Sequence, residues 1–198
     1  MINVKSTFMD GERYHLTPLS TENITVAKKL CDISVGQNLY TIEVLNRAIK
    51  TRNHLFYLLY EETREIGHFY CFVTDVPHAT KQLKLDSIPQ QLFKNEQAKV
   101  GLFQSIGFLP EYQKNGLAIK MIHYFEKILF DQYKVNIIVV PSWKQGGFIP
   151  AEKPLLKSGF TYFADVHRAW HEVKELKCPY CRNNKCICDS AIFYKAGE

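Results

Sequence analysis

The stretch SIGFLPEYQKNGLAIKMIHYFEKIL, residues 105–129, couples an apolar run, a short loop and a helix. Ala118, Met121, Ile122, Phe125 and Leu129 recur at helical spacing and form one apolar stripe. The start of this helix has no serine, threonine or aspartate to cap it. About four backbone N–H groups lie free at such a start, at the positive end of the helix dipole. Two readings satisfy them. Asn115 can act as an ordinary cap in a surface turn. A bound phosphate can also take their place, provided the loop lets it come close to the backbone. Gly116 has no Cβ, Ala118 is the next smallest choice, and Gln113 can donate a neutral side-chain N–H to a phosphate oxygen.

Working outward, strand and helix patterns alternate. Ser20 or Thr21 is placed to cap a helix over about 22–31, and Thr41 a second one through Ile42, Leu45 and Ile49. HLFYLLYEE (54–62) and IGHFYCFVTDV (66–76) read as a hairpin about a polar turn. Residues 77–96 break the pattern and read as an insertion with one short helix. AKVGLFQSIGFL (98–109) is a third strand, leading directly into the loop. VNIIVVPSW (135–143) is the next strand, PAEKPLLKS (150–158) a short helix ended by Gly159, FTYFADVHRAWHEV (160–173) an alternating strand, and DSAIFYKAG (189–197) the closing strand. The expected fold class is therefore α/β, with helices flanking a mixed sheet. One domain over 1–198 accommodates all of it.

SIGFLPEYQKNGLA resembles the acyl-coenzyme A signature of the GNAT superfamily of N-acetyltransferases. In that family a strand ending V-x-P-x-[YF] leads into [QR]-x-x-G-x-[GA] at the start of the central helix. Phe108 holds the apolar position, Pro110 and Tyr112 follow, and Gln113, Gly116 and Ala118 match the second part. The element order, including LLKSGF with Gly159–Phe160, also resembles the family over about residues 10–197. The resemblance implies a GNAT-like, mostly antiparallel sheet and acetyl-CoA as cosubstrate. It implies that the backbone from Ile106 to Phe108 holds the pantetheine arm, and that Lys114, Asn115, Gly116, Leu117 and Ala118, with Gln113, hold the pyrophosphate. The thioester would lie where strands 98–109 and 135–141 part, and Pro141, which lacks an N–H, helps to end that pairing. The amine acceptor stays open: small molecule, protein or nucleic acid.

The catalytic groups are less legible. The family's usual tyrosine in the penultimate helix is absent; Pro154, Leu155 and Leu156 stand there. That departure leaves open a coenzyme A binder without catalysis. Ser142 follows the parting point. If 160–173 is one strand, Asp165, His167 and His171 share a face by period two, with Tyr162 nearby, and a solvated polar face is the favoured reading of that pattern. Ser142, Tyr162 and His167 are the candidates for proton transfer, with Gln104 and Glu96 as further leads. Trp143, Trp170, Tyr57, Tyr60 and Phe69 read as packing, and Cys31 and Cys71 as buried thiols.

Cys178, Cys181, Cys186 and Cys188 follow C-x2-C-x4-C-x-C within 178–188. Four thiolates about a tight turn suit structural zinc, and place a Cys-rich knuckle in the last hairpin. A redox pair or free thiols are the alternatives. Tyr180, Arg182 and Lys185 would lie on the knuckle, facing any macromolecular acceptor. The formal charge is +5, which suits an anionic cosubstrate but does not by itself indicate nucleic acid; a nucleic-acid-modifying enzyme remains a rival reading. No apolar run reaches membrane-spanning length, and MINVKSTFMDGER lacks the apolar core of a secretion signal, so the expected location is cytoplasmic.

Overall fold

The computed structural model describes residues 13–85, 97–181 and 185–197. Glu96, Arg182 and residues 86–96 of the insertion lie outside them.

Seven strands form one sheet in the order β1-β2-β3-β4-β5-β7-β6. They are β1 (Tyr14–Pro18), β2 (His54–Glu61), β3 (Arg64–Asp75), β4 (Lys99–Phe108), β5 (Ile137–Lys144), β6 (Thr161–Val166) and β7 (Asp189–Ala196). The helices are α1 (Ile24–Ser34), α2 (Ile42–Lys50), α3 (Val76–Leu83), α4 (Leu117–Asp131) and α5 (Glu152–Lys157). Every neighbouring pair is antiparallel except β4 and β5, which run parallel. The mixed, mostly antiparallel sheet follows the expected α/β class. Strand β1 is an addition to it. YHLTP is too short for its alternation to stand out, and its place is fixed by pairing with β2.

β3 is buried on both faces from Ile66 to Val73, which explains its unbroken apolar run. α4 packs on one face of the sheet, where the Phe69 and Phe125 rings stack 4.1 Å apart. α1 and α2 cover the other face through Ala27, Leu30 and Leu45 against Phe56 and Tyr70. Each large apolar side chain buried there contributes about 1.5–3 kcal/mol.

Local signals explain most boundaries. Thr41 Oγ1 accepts from Val44 N at 3.4 Å and caps α2 as expected. α1 is different. Neither Ser20 nor Thr21 caps it; Asn23 holds the N-cap position without a side-chain cap bond. Its amide instead accepts from Ser20 N and donates to Pro18 O, tying the helix to the end of β1.

The strand expected over 160–173 stops at Val166. The chain then turns, with Arg168 at φ 47°, so His167 and His171 are not on a strand face with Asp165. The turn is fixed by Arg168 N donating to Asp189 Oδ1 at 2.9 Å, a tertiary contact that local alternation does not encode. Among the described residues no helix is long and apolar enough to cross a membrane.

Candidate active site

β4 and β5 are paired only from Val100↔Ile137 to Leu102↔Val139. Beyond that point β4 keeps to β3 and β5 keeps to β7, so the two strands part. Two features produce the split. Gln104 is an extra residue in β4, falling between Tyr70↔Ser105 and Cys71↔Phe103, and such a bulge bends and twists its strand. Pro141 then presents no N–H in β5. The edge of β4 after Leu102 is left facing a cleft that opens into a cavity of about 300 Å³.

The loop after β4 has the shape that the glycine implies. Pro110–Tyr112 make a 3-10 turn, Lys114 has φ 63° and Gly116 has φ 87°. A Cβ at Gly116 would meet nothing within 4 Å, so open space lies in front of this residue. Gln113 Nε2 donates to Phe108 O at 3.1 Å, which folds the loop back onto the end of β4. Asn115 Oδ1 accepts from Leu117 N at 3.2 Å. That side chain meets one amide of the helix start; Gly116, the N-cap residue, has no side chain to meet another, and the first turn carries no acidic residue. The positive dipole end therefore faces open space. Ile106 and Phe108 lie on the β4 edge leading to this loop, opposite Phe69 and Gly67 of β3.

A chain of hydrogen bonds runs from the cavity into the core. Tyr40 lines the cavity, with Ser105 beside its hydroxyl. Ser105 Oγ lies 3.0 Å from His68 Nε2, and His68 Nδ1 lies 3.4 Å from Ser34 Oγ. Ser34 Oγ donates to Leu30 O at 2.6 Å, which sets every other donor in the series. His68 Nδ1–H donates to Ser34, and Ser105 O–H donates to His68 Nε2. His68 is fully buried, and burial lowers its pKa to about 3, so it is neutral. Burial likewise raises the Tyr40 phenol far above its ordinary value and keeps it protonated. Sequence reading missed Tyr40 and His68, because their roles arise from segments far apart in the chain.

The other sequence candidates are scattered. Ser142 is buried and lines the cavity. Tyr162 is 46% exposed and lies outside the cavity lining. His167 is exposed beside Asp189, with Nδ1 and Oδ1 2.9 Å apart. Asp165 pairs with Lys144 instead. His171 Nδ1 meets Cys186 O at 3.3 Å. Gln104 lines the cavity at the bulge and accepts from Gln82 of α3 at 3.2 Å. At the family's tyrosine position, Pro154 and Leu155 bring only carbon to the wall.

Trp143 and Trp170 stack on each other, 3.7 Å between centroids and 23° between planes, and also line the cavity. Tyr180 stands against Trp143 at 5.9 Å. Behind them lies the cysteine cluster. The Sγ atoms of Cys178, Cys181, Cys186 and Cys188 all lie within 4.8 Å of one another. Cys178 Sγ and Cys188 Sγ are 3.7 Å apart; four sulfurs at about 2.3 Å from one zinc ion stand about 3.8 Å from each other in a tetrahedron. Burial pushes the Cys186 thiol up to about 12 and raises the Cys188 thiol further, so a cation is needed to hold these two as thiolates. The knuckle is joined to the α1–α2 loop: Lys177 N donates to Gln37 O at 2.9 Å, and Gly36, at φ 119°, lets Pro179 approach.

A sheet split between its parallel strands, followed by a glycine loop and a central helix, is the arrangement that the resemblance to the GNAT superfamily implies, and solved N-acetyltransferases share it. Solved structures show the same likeness. Arabidopsis thaliana NAA60 in complex with a bisubstrate analogue superposes with a TM-score of 0.69 at 14% identity, over 92% of this chain and 97% of that one. The spermidine/spermine N-acetyltransferase SpeG from Vibrio cholerae gives 0.59 at 14% identity, over 93% and 92%. NAA60 has also been solved in complex with acetyl-CoA, with a TM-score of 0.68. No family model and no curated protein sequence matches the chain.

Proposed function

We propose that this chain is an acyl-coenzyme A-dependent N-acyltransferase that moves an acetyl or related acyl group to a primary amine. The carrying observation is the parting of β4 and β5 after Leu102↔Val139, directly before a helix start that opens onto free space. In this reading the pantetheine arm runs along the free edge of β4 near Ile106 and Phe108. The pyrophosphate rests on the amides of Lys114, Asn115, Gly116, Leu117 and Ala118. Gln113 braces the loop and keeps a second amide N–H for a phosphate oxygen.

In the transfer, the nitrogen lone pair attacks the thioester carbonyl and forms the N–C bond. The C–S bond breaks, and the proton lost by nitrogen ends on the departing thiolate. Products are the amide and free coenzyme A. Tyr40 brings a hydroxyl to the cavity beside Ser105, where it can meet an N–H of the amine. Ser142 brings a hydroxyl to the parting point. Neither Tyr162 nor His167 is needed. Cys178, Cys181, Cys186 and Cys188 would hold a structural zinc ion, which fixes the loop and leaves no open coordination position.

Binding of acetyl-CoA by calorimetry, together with release of the coenzyme A thiol in the presence of an amine, tests this. Gly116→Trp should weaken acetyl-CoA binding at least tenfold, by filling the space before the helix and by straining a residue at φ 87°, while circular dichroism shows the fold kept. Unchanged affinity would remove the cradle from residues 113–118. A second reading, a coenzyme A-binding module without catalysis, is favoured by Pro154 and Leu155 at the family's tyrosine position; binding without thiol release would establish it.

A further inference from the structure

We propose that the acceptor is a primary monoamine carried on an aromatic or branched aliphatic body, with no second cationic group. This rests on the acyltransferase reading, because it takes the cavity as the place where acyl group and amine meet. The cavity lining includes Leu39, Tyr40 and Val44 of the α1–α2 region and Trp143, Trp170 and Tyr180 near the cysteine cluster. Among the described residues, no Asp, Glu, Lys, Arg or His lines any part of it. Three carboxylates of adjoining segments are paired with lysines: Asp32 with Lys28, Asp165 with Lys144, and Glu172 with Lys84.

Such a wall selects by charge. An ammonium group is strongly disfavoured in an apolar enclosure that offers no carboxylate. The reacting nitrogen must shed its proton to become a nucleophile, so the same surroundings favour its reactive form. A second ammonium on the same molecule would gain nothing and would stay unpaired. The polar groups on the lining are uncharged: the hydroxyls of Tyr40 and Ser142 are left for one amine, while Gln104 accepts from Gln82, Ser105 meets His68 and Ser34 donates to Leu30 O. The remaining surface is aromatic and aliphatic, and an offset ring or branched chain fills it favourably. Cation–π attraction is the competing effect, but the indoles of Trp143 and Trp170 each spend one face on the other.

Trp143 and Trp170 are the two tryptophans of the chain, so intrinsic emission reports this wall directly. With coenzyme A present, 2-phenylethylamine should produce a saturable change in emission, and spermidine none. With acetyl-CoA, kcat/KM from thiol release should be at least tenfold higher for 2-phenylethylamine than for spermidine. Val173→Asp, which sets a carboxylate on the wall, should reduce that ratio at least tenfold. Saturation by spermidine, or no emission change with 2-phenylethylamine, overturns the inference. Thiol release with spermidine alone would sink it and leave the transferase reading standing. Emission changes with 2-phenylethylamine but no thiol release from any amine would keep the pocket's preference and overturn the transfer.

Discussion

His68 is a titratable side chain held where no water reaches it. Its ring sits between Ser34 and Ser105, and Gly107 makes room for it: a Cβ there would fall 2.6 Å from His68 Cε1 and clash with Ser34 Oγ. Burial lowers the folded pKa from 6.5 to about 3. The unfolded chain therefore takes up this proton first as pH falls. Between those two values the unfolded state holds more protons, so the contribution of His68 to stability is complete above about 6.5 and declines on acidification, levelling near 3. The slope reaches up to about 1.4 kcal/mol per pH unit. Urea unfolding of wild type and His68→Gln at pH 7 and pH 5 checks this. The wild type should lose more stability across that interval than the variant, and equal losses would place the histidine in contact with water.

At the scale of elements, the β6–β7 connection carries the most consequence. It leaves the sheet at Val166, passes Trp170 and the four cysteines, and returns at Asp189. Its core is small, with Leu176 and the cysteines packed against Leu39, Trp143 and Trp170. A segment with so little apolar burial needs a staple. Elemental analysis should find about one zinc per chain. A chelator should raise KM for the amine several-fold and leave acetyl-CoA affinity unchanged, because the knuckle touches the Trp143 wall and not residues 113–118. A metal-free protein with full activity would reduce the cluster to buried thiols.

Across the whole molecule, the split that makes the site also weakens the sheet. β1–β4 and β5–β7 share only three paired positions. Side chains beneath the sheet join the halves: Phe125 of α4 lies in one cluster with Phe69 and Phe103 on one side and Ile138, Val140 and Phe193 on the other. Phe125→Ala should cost about 3–5 kcal/mol, measured by chemical denaturation. A loss under about 1 kcal/mol would mean that the halves are held together by other contacts.

Sequence alone determined the strand–loop–helix centre, because its signals are local. Gly116 permits a positive φ, Pro110 fixes the turn, and the stripe from Ala118 to Leu129 repeats with the helix. The four cysteines were legible for the same reason, since their ligand spacing is short. The face predicted for His167 and His171 failed because one bond from Arg168 to Asp189, 21 residues apart, turned the chain. Tyr40, His68, Ser105, Ser142 and the tryptophans meet only after packing, from segments as far apart in the chain as Tyr40 and Trp170. Side-chain pairing over such distances is set by which faces the folded sheet and helices bury together, and no periodicity within one segment carries that information.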